Sequence, residues 1–347
     1  MRCELTAIND LQRIFWGFFI DSTIMAVTSV SNIFCVFLLQ PVMIFIHGGS
    51  FVDGSSNLYP SDMLVATQDV VVVTINYRLN AFGFLSSRDS TLPGNYGMWD
   101  QIMSIQWVKD NIADYGGNPD QITLFGESAG AFAITYHIIF PVNNVSLFQR
   151  VITESGSVFS RAFLASDPST SFSSVLDSVG CQYDNLISCL RSKPFEQLLN
   201  ATQSPNRALE FFPILDNDFL PKDLANQLAK FTKASYPDSF NINMADFPKY
   251  DVFSGWNDQE GLLYINTLNA LSLELEGRNI SNGVSEPVLY AAISSKLAET
   301  VADKAAVQLL TKLLMNYYIN TPYHMNSDGR SADDRRLETY VNIAGRG

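Results

Sequence analysis

The fold is decided by residues 122–130, Ile-Thr-Leu-Phe-Gly-Glu-Ser-Ala-Gly, in which a short apolar run leads directly into a Gly-x-Ser-x-Gly pattern. In the physical interpretation of this pattern, a strand ends at a sharp turn and a helix begins. The residues that follow, 131–137, have the composition of that helix. Such a turn holds the serine out of the sheet, so Ser128 is a candidate nucleophile. The alternative is an ordinary strand-to-helix turn.

The chain around this pattern alternates between predicted strands and predicted helices. Short apolar and β-branched runs predict strands at 42–46, 69–77, 150–156 and 250–255. Helices are predicted at 59–67, 98–112 and 287–318. This alternation is typical of a doubly wound α/β fold, with a mostly parallel sheet and helices on both faces.

Composition bounds the function. The chain has 347 residues, of which 47% are hydrophobic, so a sizeable core can form in one large domain or two small ones. A formal net charge of −13 argues against a nucleic-acid partner, because a phosphate backbone needs a basic face. We also expect no cofactor and no metal site.

The first forty residues are harder to assign. Residues 14–20 are a short apolar run, and residues 22–46 carry no charge, although Pro41 interrupts them. A signal or anchor segment, additional buried strands and sequence outside the folded domain all remain open. We therefore separate an unmatched apolar segment, 1–40, from an α/β domain, 41–347.

Cysteines and sequons favour the secretory pathway. Cys181 and Cys189 are spaced so that a disulfide could close a small loop, and N-x-[ST] sequons make Asn144, Asn200 and Asn279 glycosylation candidates. Free buried thiols in a cytosolic protein are the alternative.

If Ser128 is a nucleophile for ester hydrolysis, the site also needs backbone N–H groups at the position where the oxyanion forms. One candidate is the N–H of Ala129, directly after the nucleophile. The others belong to the loop His-Gly-Gly-Ser-Phe at 47–51, here called the oxyanion loop, with Gly48, Gly49 and Ser50 as its candidates. Glycine permits close approach of the backbone to a substrate oxygen.

With these residues in place, the sequence resembles the type-B carboxylesterase and cholinesterase family, from about residue 41 to about residue 345. The resemblance is carried by residues 42–51, 76–78, 94–97, 100–101, 106–108, 116–119, 125–130 and 154–157. It implies an α/β-hydrolase fold, here expected to be incomplete at both ends. It also implies a serine carboxylic-ester hydrolase that acts on a small ester through an acyl-enzyme.

The resemblance assigns further roles. Glu260 occupies the place of the family's acid and would orient the catalytic base, with Ser155 as a hydrogen-bonding group near that acid. Glu127, beside the nucleophile, would contribute an electrostatic field or a hydrogen bond to the site. The resemblance also implies a disulfide between Cys181 and Cys189, and a buried structural ion pair.

That ion pair would join Arg78 to Asp100. The base itself is not evident, because the chain has three histidines. His47 begins the oxyanion loop, and His137 resembles a structural position of the family. His324 satisfies the order Ser, Glu, His, but the family's base follows a glycine at the end of a strand further downstream.

We therefore expect the base to be absent from this chain and the chain to be inactive as it stands. The alternative function is a non-catalytic, cholinesterase-like adhesion or scaffolding ectodomain. Either function implies a secreted or extracellular-facing protein, with membrane anchoring and oligomeric state left open.

Overall fold

The chain divides into two compact units, Met1–Gly255 and Trp256–Gly347. The computed structural model describes residues 14–20, 23–29, 39–139, 147–158, 163–165, 167–203, 211–220, 250–257, 260, 265–280, 284–298 and 303–320. The candidate nucleophile, Ser128, lies in the first unit, and the candidate acid, Glu260, lies in the second.

The first unit is built on a sheet that has seven strands within the described residues. They are β1 (Ile14–Ile20), β2 (Thr23–Ser29), β3 (Gln40–Ile46), β4 (Val71–Ile75), β5 (Gly117–Glu127), β6 (Arg150–Glu154) and β7 (Asp251–Gly255). Their order across the sheet is β1-β2-β4-β3-β5-β6-β7. β1 and β2 pair antiparallel, as do β2 and β4. The other pairs are parallel, so β4, β3, β5, β6 and β7 form a five-stranded parallel sheet.

Helices cover both sides of this parallel sheet. In the described part of the first unit they are α1 (Asp62–Gln68), α2 (Asn80–Phe84), α3 (Tyr96–Asn111), α4 (Ala129–Ile139), α5 (Pro168–Val179), α6 (Leu186–Ser192) and α7 (Phe195–Ala201). Every residue of β4 is buried, as a β-branched run between two helical layers requires. The predicted doubly wound α/β-hydrolase architecture is confirmed.

The two strands before residue 40 extend the parallel sheet at its β4 edge. Residues 25–28 of β2 pair with residues 72–75 of β4. Of the three alternatives for the first forty residues, the one with additional strands therefore applies to residues 14–20 and 23–29. The division of the chain at residue 40 stays a prediction.

Two predicted covalent and ionic contacts are present in the first unit. Cys181 and Cys189 form a disulfide, with their Cα atoms 5.8 Å apart. Arg78 donates from Nε to Asp100 Oδ2 and from Nη2 to Asp100 Oδ1, both at 2.7 Å, and its backbone N–H donates to Oδ2 at 2.9 Å. The carboxylate is buried, whereas the Arg78 side chain keeps 37% of its surface exposed. This pair fixes the segment that follows β4 to α3.

The second unit is helical in its described residues. Its helices are α8 (Ile265–Glu276), α9 (Glu286–Ala298) and α10 (Lys304–Asn320), so the predicted helical segment at 287–318 falls on two helices. Their buried side chains form a separate small core that includes Leu268, Val288 and Met315.

Among the described helices, none is both long enough and apolar enough to cross a membrane. Of the three sequon asparagines, Asn200 and Asn279 are exposed, and Asn144 lies outside the described residues.

Candidate active site

Ser128 lies on the turn between β5 and α4. The strand ends at Glu127, the helix begins at Ala129, and Ser128 between them has φ 52°. A non-glycine residue in this left-handed region costs of order 1–3 kcal/mol, which the surrounding structure must offset. Its backbone N–H donates to the Glu154 carbonyl of β6 at 2.9 Å. The serine is therefore held in the strained conformation that the motif predicts.

The glycines of the motif allow this turn to pack against the end of β3. A Cβ atom at Gly130 would overlap the carbonyl oxygen of Ile46, and one at Gly126 would lie 2.6 Å from the same oxygen. Real Cβ atoms are essentially never found so close to a backbone oxygen. The spacing Gly-x-Ser-x-Gly thus follows from steric contact with a neighbouring strand.

The oxyanion loop lies directly against the nucleophile. A Cβ atom at Gly48 would be 3.1 Å from the Cβ of Ser128 and 2.8 Å from the Glu127 carbonyl oxygen. Ala129 is the first residue of α4, where the N–H groups lack intrahelical acceptors. The positive end of the helix dipole also lies there. The geometry therefore brings both predicted sources of oxyanion donors to Ser128.

Three consecutive residues give the oxyanion loop its shape. Gly49, Ser50 and Phe51 have φ values of 102°, 55° and 60°. The carbonyl of Gly49 accepts hydrogen bonds from the N–H groups of Val52 and Asp53, both at 3.0 Å. Phe51 has no exposed surface and makes edge contacts with neighbouring aromatic rings. Burial of this side chain offsets the strain of the loop.

His47, the first residue of the oxyanion loop, is held in place by contacts with Tyr77 and Gly48. Its ring is buried and stacks on Tyr77, with 4.6 Å between centroids, and its Nδ1 lies 2.8 Å from the Gly48 carbonyl oxygen. The Tyr77 hydroxyl donates to the His47 carbonyl at 2.9 Å. Burial lowers the pKa of His47 and raises the pKa of Tyr77, so the imidazole is neutral and the phenol keeps its proton.

The segment after β6 closes the other side of the turn. Ser155 has φ 55° and donates its N–H to the Gly255 carbonyl of β7 at 2.8 Å. The next residue, Gly156, lies under the nucleophile, because a Cβ atom there would be 2.6 Å from the Ser128 carbonyl oxygen. The sequence assigned a role to Ser155 and none to Gly156, whose contact with Ser128 is visible only in three dimensions.

Glu260 belongs to the second unit. Its Oε1 accepts a hydrogen bond from the Asn257 N–H at 2.8 Å. This contact describes its immediate surroundings, and its partnership with the base of Ser128 stays a prediction. Glu127 does lie beside the site, because its Oε2 would be 2.9 Å from a Cβ atom at Gly48.

His137 is too far along α4 to deprotonate Ser128. It lies nine residues later in the chain, which at 1.5 Å per residue is about 13 Å along the helix axis. Its Nε2 is 2.9 Å from Gln101 Oε1, and complete burial lowers its pKa to about 3. His137 therefore joins α4 to α3 as a neutral group. The third histidine, His324, lies outside the described residues.

We expect acid to destabilise the chain partly through His137. Below its ordinary pKa of 6.5, the unfolded histidine binds a proton that the buried one, with a pKa of about 3, does not bind. Its contribution to stability is therefore complete above pH 6.5 and is lost as the pH falls toward 3. Between pH 7 and pH 5 the wild-type chain should lose about 2 kcal/mol more than His137→Gln. Urea unfolding at both pH values measures this difference. Equal losses of stability in the wild type and His137→Gln would contradict a buried, neutral His137.

One buried polar contact of the first unit has no counterpart among the predictions from sequence. Asn95 has no exposed surface, donates from Nδ2 to the Ile214 carbonyl at 2.9 Å and to Asp216 Oδ2 at 2.8 Å, and accepts the Ile214 N–H at 2.9 Å. Asp216 Oδ1 in turn accepts three backbone N–H groups, from residues 218–220. A buried Asn with both functions satisfied fixes two distant loops to each other. The asparagine between two glycines, at 94–97, belongs to the family resemblance, but nothing in the local sequence indicates its partners.

Comparison with known proteins identifies a family. A family model described as "Carboxylesterase family" matches residues 37–344. Human neuroligin-2 is 33% identical over 270 residues, which are 76% of this chain and 30% of that protein. Bovine bile salt-activated lipase is 37% identical over 244 residues, which are 65% of this chain and 38% of that protein. The chain spans less than half of the length of each of these relatives.

Proposed function

Because the chain belongs to the carboxylesterase family, we propose that it is a serine carboxylic-ester hydrolase. The observation that carries this proposal is the position of Ser128, strained at φ 52° and in contact with the glycine loop that begins at Gly48. A serine in an ordinary strand-to-helix turn does not need a left-handed backbone placed against a glycine loop. Similarity to a protein named bile salt-activated lipase supports the same reaction class.

The reaction proceeds through an acyl-enzyme. The Oγ of Ser128 attacks the ester carbonyl carbon while its proton passes to a base, and the carbonyl oxygen becomes an oxyanion. The N–H groups of Ala129, Gly48 and Gly49 hold this oxyanion, with Ser50 completing the loop. The C–O bond then breaks and the alcohol leaves with the proton. Water, deprotonated by the same base, releases the acid and restores Ser128.

The base in this proposal is a histidine other than His47 and His137. His47 is engaged under the oxyanion loop and His137 with Gln101. His324, which the family pattern disfavours, is the remaining candidate within the chain. Glu260 orients the base, and Ser155 supports that acid. No cofactor or metal is required for this mechanism.

The disulfide and the exposed asparagines support a secreted or extracellular-facing protein. A disulfide is stable in oxidising compartments, and glycans are added at sequons in the secretory pathway. Cys181–Cys189 is bridged, and Asn200 and Asn279 have exposed side chains.

A second candidate is a non-catalytic, cholinesterase-like adhesion or scaffolding ectodomain. It is favoured by one observation, that both histidines within the described residues have other contacts, His47 Nδ1 with the Gly48 carbonyl oxygen and His137 Nε2 with Gln101. In this case the partner is a protein and the serine is a remnant of an enzyme ancestor.

A fluorophosphonate probe distinguishes these functions. We expect it to label a chain that carries the base and to fail completely on Ser128→Ala in that chain. Ser192→Ala, which removes an exposed serine on α6, is the matched control and should label like the wild type. Labelling that persists in Ser128→Ala would contradict the assignment of the nucleophile. A lack of labelling in every version of the chain would favour the adhesion function.

A further inference from the structure

One residue, Asn80, joins the oxyanion loop to the end of α7, which is far away in the sequence. The backbone N–H of Asn80 donates to the Phe51 carbonyl at 2.7 Å, and its Nδ2 donates to Thr202 Oγ1 at 3.0 Å. We propose that Asn80 and Thr202 position the oxyanion loop. This inference deepens the proposed function, on which the catalytic meaning of the loop rests.

Both the backbone and the side chain of Asn80 have a defined conformation. Its φ of 56° lies in the left-handed region, which asparagine tolerates better than most residues. Its Oδ1 accepts the N–H of Ala81 at 2.7 Å, so the amide group has a defined orientation. The left-handed backbone directs one donor to the loop while the side chain directs another to Thr202. Loss of the side chain therefore loosens the backbone donor as well.

Thr202 is a rigid anchor for this contact. It has 8% of its surface exposed, and its hydroxyl donates to the Leu199 carbonyl at 2.7 Å while accepting from Asn80. The preceding Ala201, at the end of α7, belongs to the main hydrophobic core. The rings of Phe82 and Phe195 stack 5.0 Å apart and join the same two helices, α2 and α7. The anchor is thus fixed to the core independently of the loop.

The oxyanion loop needs such an external support. Ser50 and Phe51, two consecutive non-glycine residues with positive φ, store strain, and strained backbone persists only where neighbours determine it. Oxyanion donors act through their placement to within tenths of an ångström. Loss of one supporting contact should therefore change the chemical step more than substrate binding.

Thr202 is also the third residue of the Asn200 sequon, which provides matched controls. Thr202→Val removes both the hydroxyl and the sequon, whereas Asn200→Gln removes only the sequon. Thr202→Ser keeps both. Asn80→Gly keeps the backbone donor and suits the positive φ, so that it removes only the side-chain contacts.

Hydrogen exchange of the backbone tests the inference without any activity. In the peptide that contains Val52 and Asp53, Asn80→Gly and Thr202→Val should exchange about five- to tenfold faster than the wild type, as expected for loss of one neutral hydrogen bond. Asn200→Gln should exchange like the wild type, and Thr202→Ser should restore the wild-type rate. Unchanged exchange in both Asn80→Gly and Thr202→Val would overturn the proposal.

Kinetics in a chain that carries the base give the second readout. There, Asn80→Gly should lower kcat for an aryl ester about three- to tenfold with little change in KM. An equal effect of Asn200→Gln would assign the result to the glycan and overturn the positioning role. If no version turns over ester, the proposed function fails, and the exchange rates still decide whether Asn80 and Thr202 hold the loop.

Discussion

The 347-residue chain should hydrolyse a simple aryl ester roughly 10⁶-fold more slowly than a version that includes the missing base, because removal of the histidine from a serine triad costs about that factor in turnover. Without a base, the Oγ of Ser128 keeps its proton and attacks the carbonyl poorly. The oxyanion loop and Ala129 remain, so a small residual rate over water is expected.

Steady-state turnover measures this difference in two versions of the protein, the 347-residue chain and a chain extended from its own transcript. Ser128→Ala in the extended chain is the control that assigns the rate to the nucleophile. His324→Ala in the 347-residue chain tests the remaining alternative, that His324 is the base. Rapid turnover by the 347-residue chain would contradict the missing base, and its loss in His324→Ala would identify His324 as the base.

Gly130→Ala should destabilise the first unit by at least about 3 kcal/mol, at the upper end of the cost of overpacking. The added Cβ would overlap the Ile46 carbonyl oxygen, which belongs to a central strand and cannot move without disturbing the pairing of β3 with β4 and β5. The strain falls on backbone, which yields less readily than a flexible side chain.

Gly255→Ala is the matched control for this substitution. Gly255 ends β7, and a Cβ atom there would meet no atom of the described residues within 4 Å. Its substitution should change the free energy of unfolding by less than about 0.5 kcal/mol. Urea unfolding of the two variants and the wild type provides the comparison. Comparable stability of Gly130→Ala and wild type would mean that the turn does not pack tightly against β3.

Much of the fold could be predicted because local sequence and tertiary position agree there. The apolar run at 122–127, the β-branched run at 71–75 and the glycine spacing around Ser128 each predict one structure, and the sheet contains all three. The Cys181–Cys189 pair was also accessible, because family resemblance and the short spacing agreed.

The rest could not be predicted, because it depends on contacts between residues far apart in sequence. Asn95 contacts Ile214 and Asp216, and Asn80 contacts Thr202, and no local pattern indicates either pair. The strands at 14–20 and 23–29 were one of three alternatives, since an uncharged apolar run is compatible with a strand, a signal or an anchor. The role of Glu260 still rests on resemblance.

The contacts around the turn have a consequence for how such motifs are used to assign activity. Gly48, Gly126, Gly130 and Gly156 are each required by the shape of neighbouring backbone or side chains, whether or not Ser128 reacts. Selection for a folded protein alone would therefore preserve most of the motif through the loss of catalysis. In this fold the glycines by themselves report architecture, and evidence for chemistry comes from Ser128 and the groups that exchange protons with it.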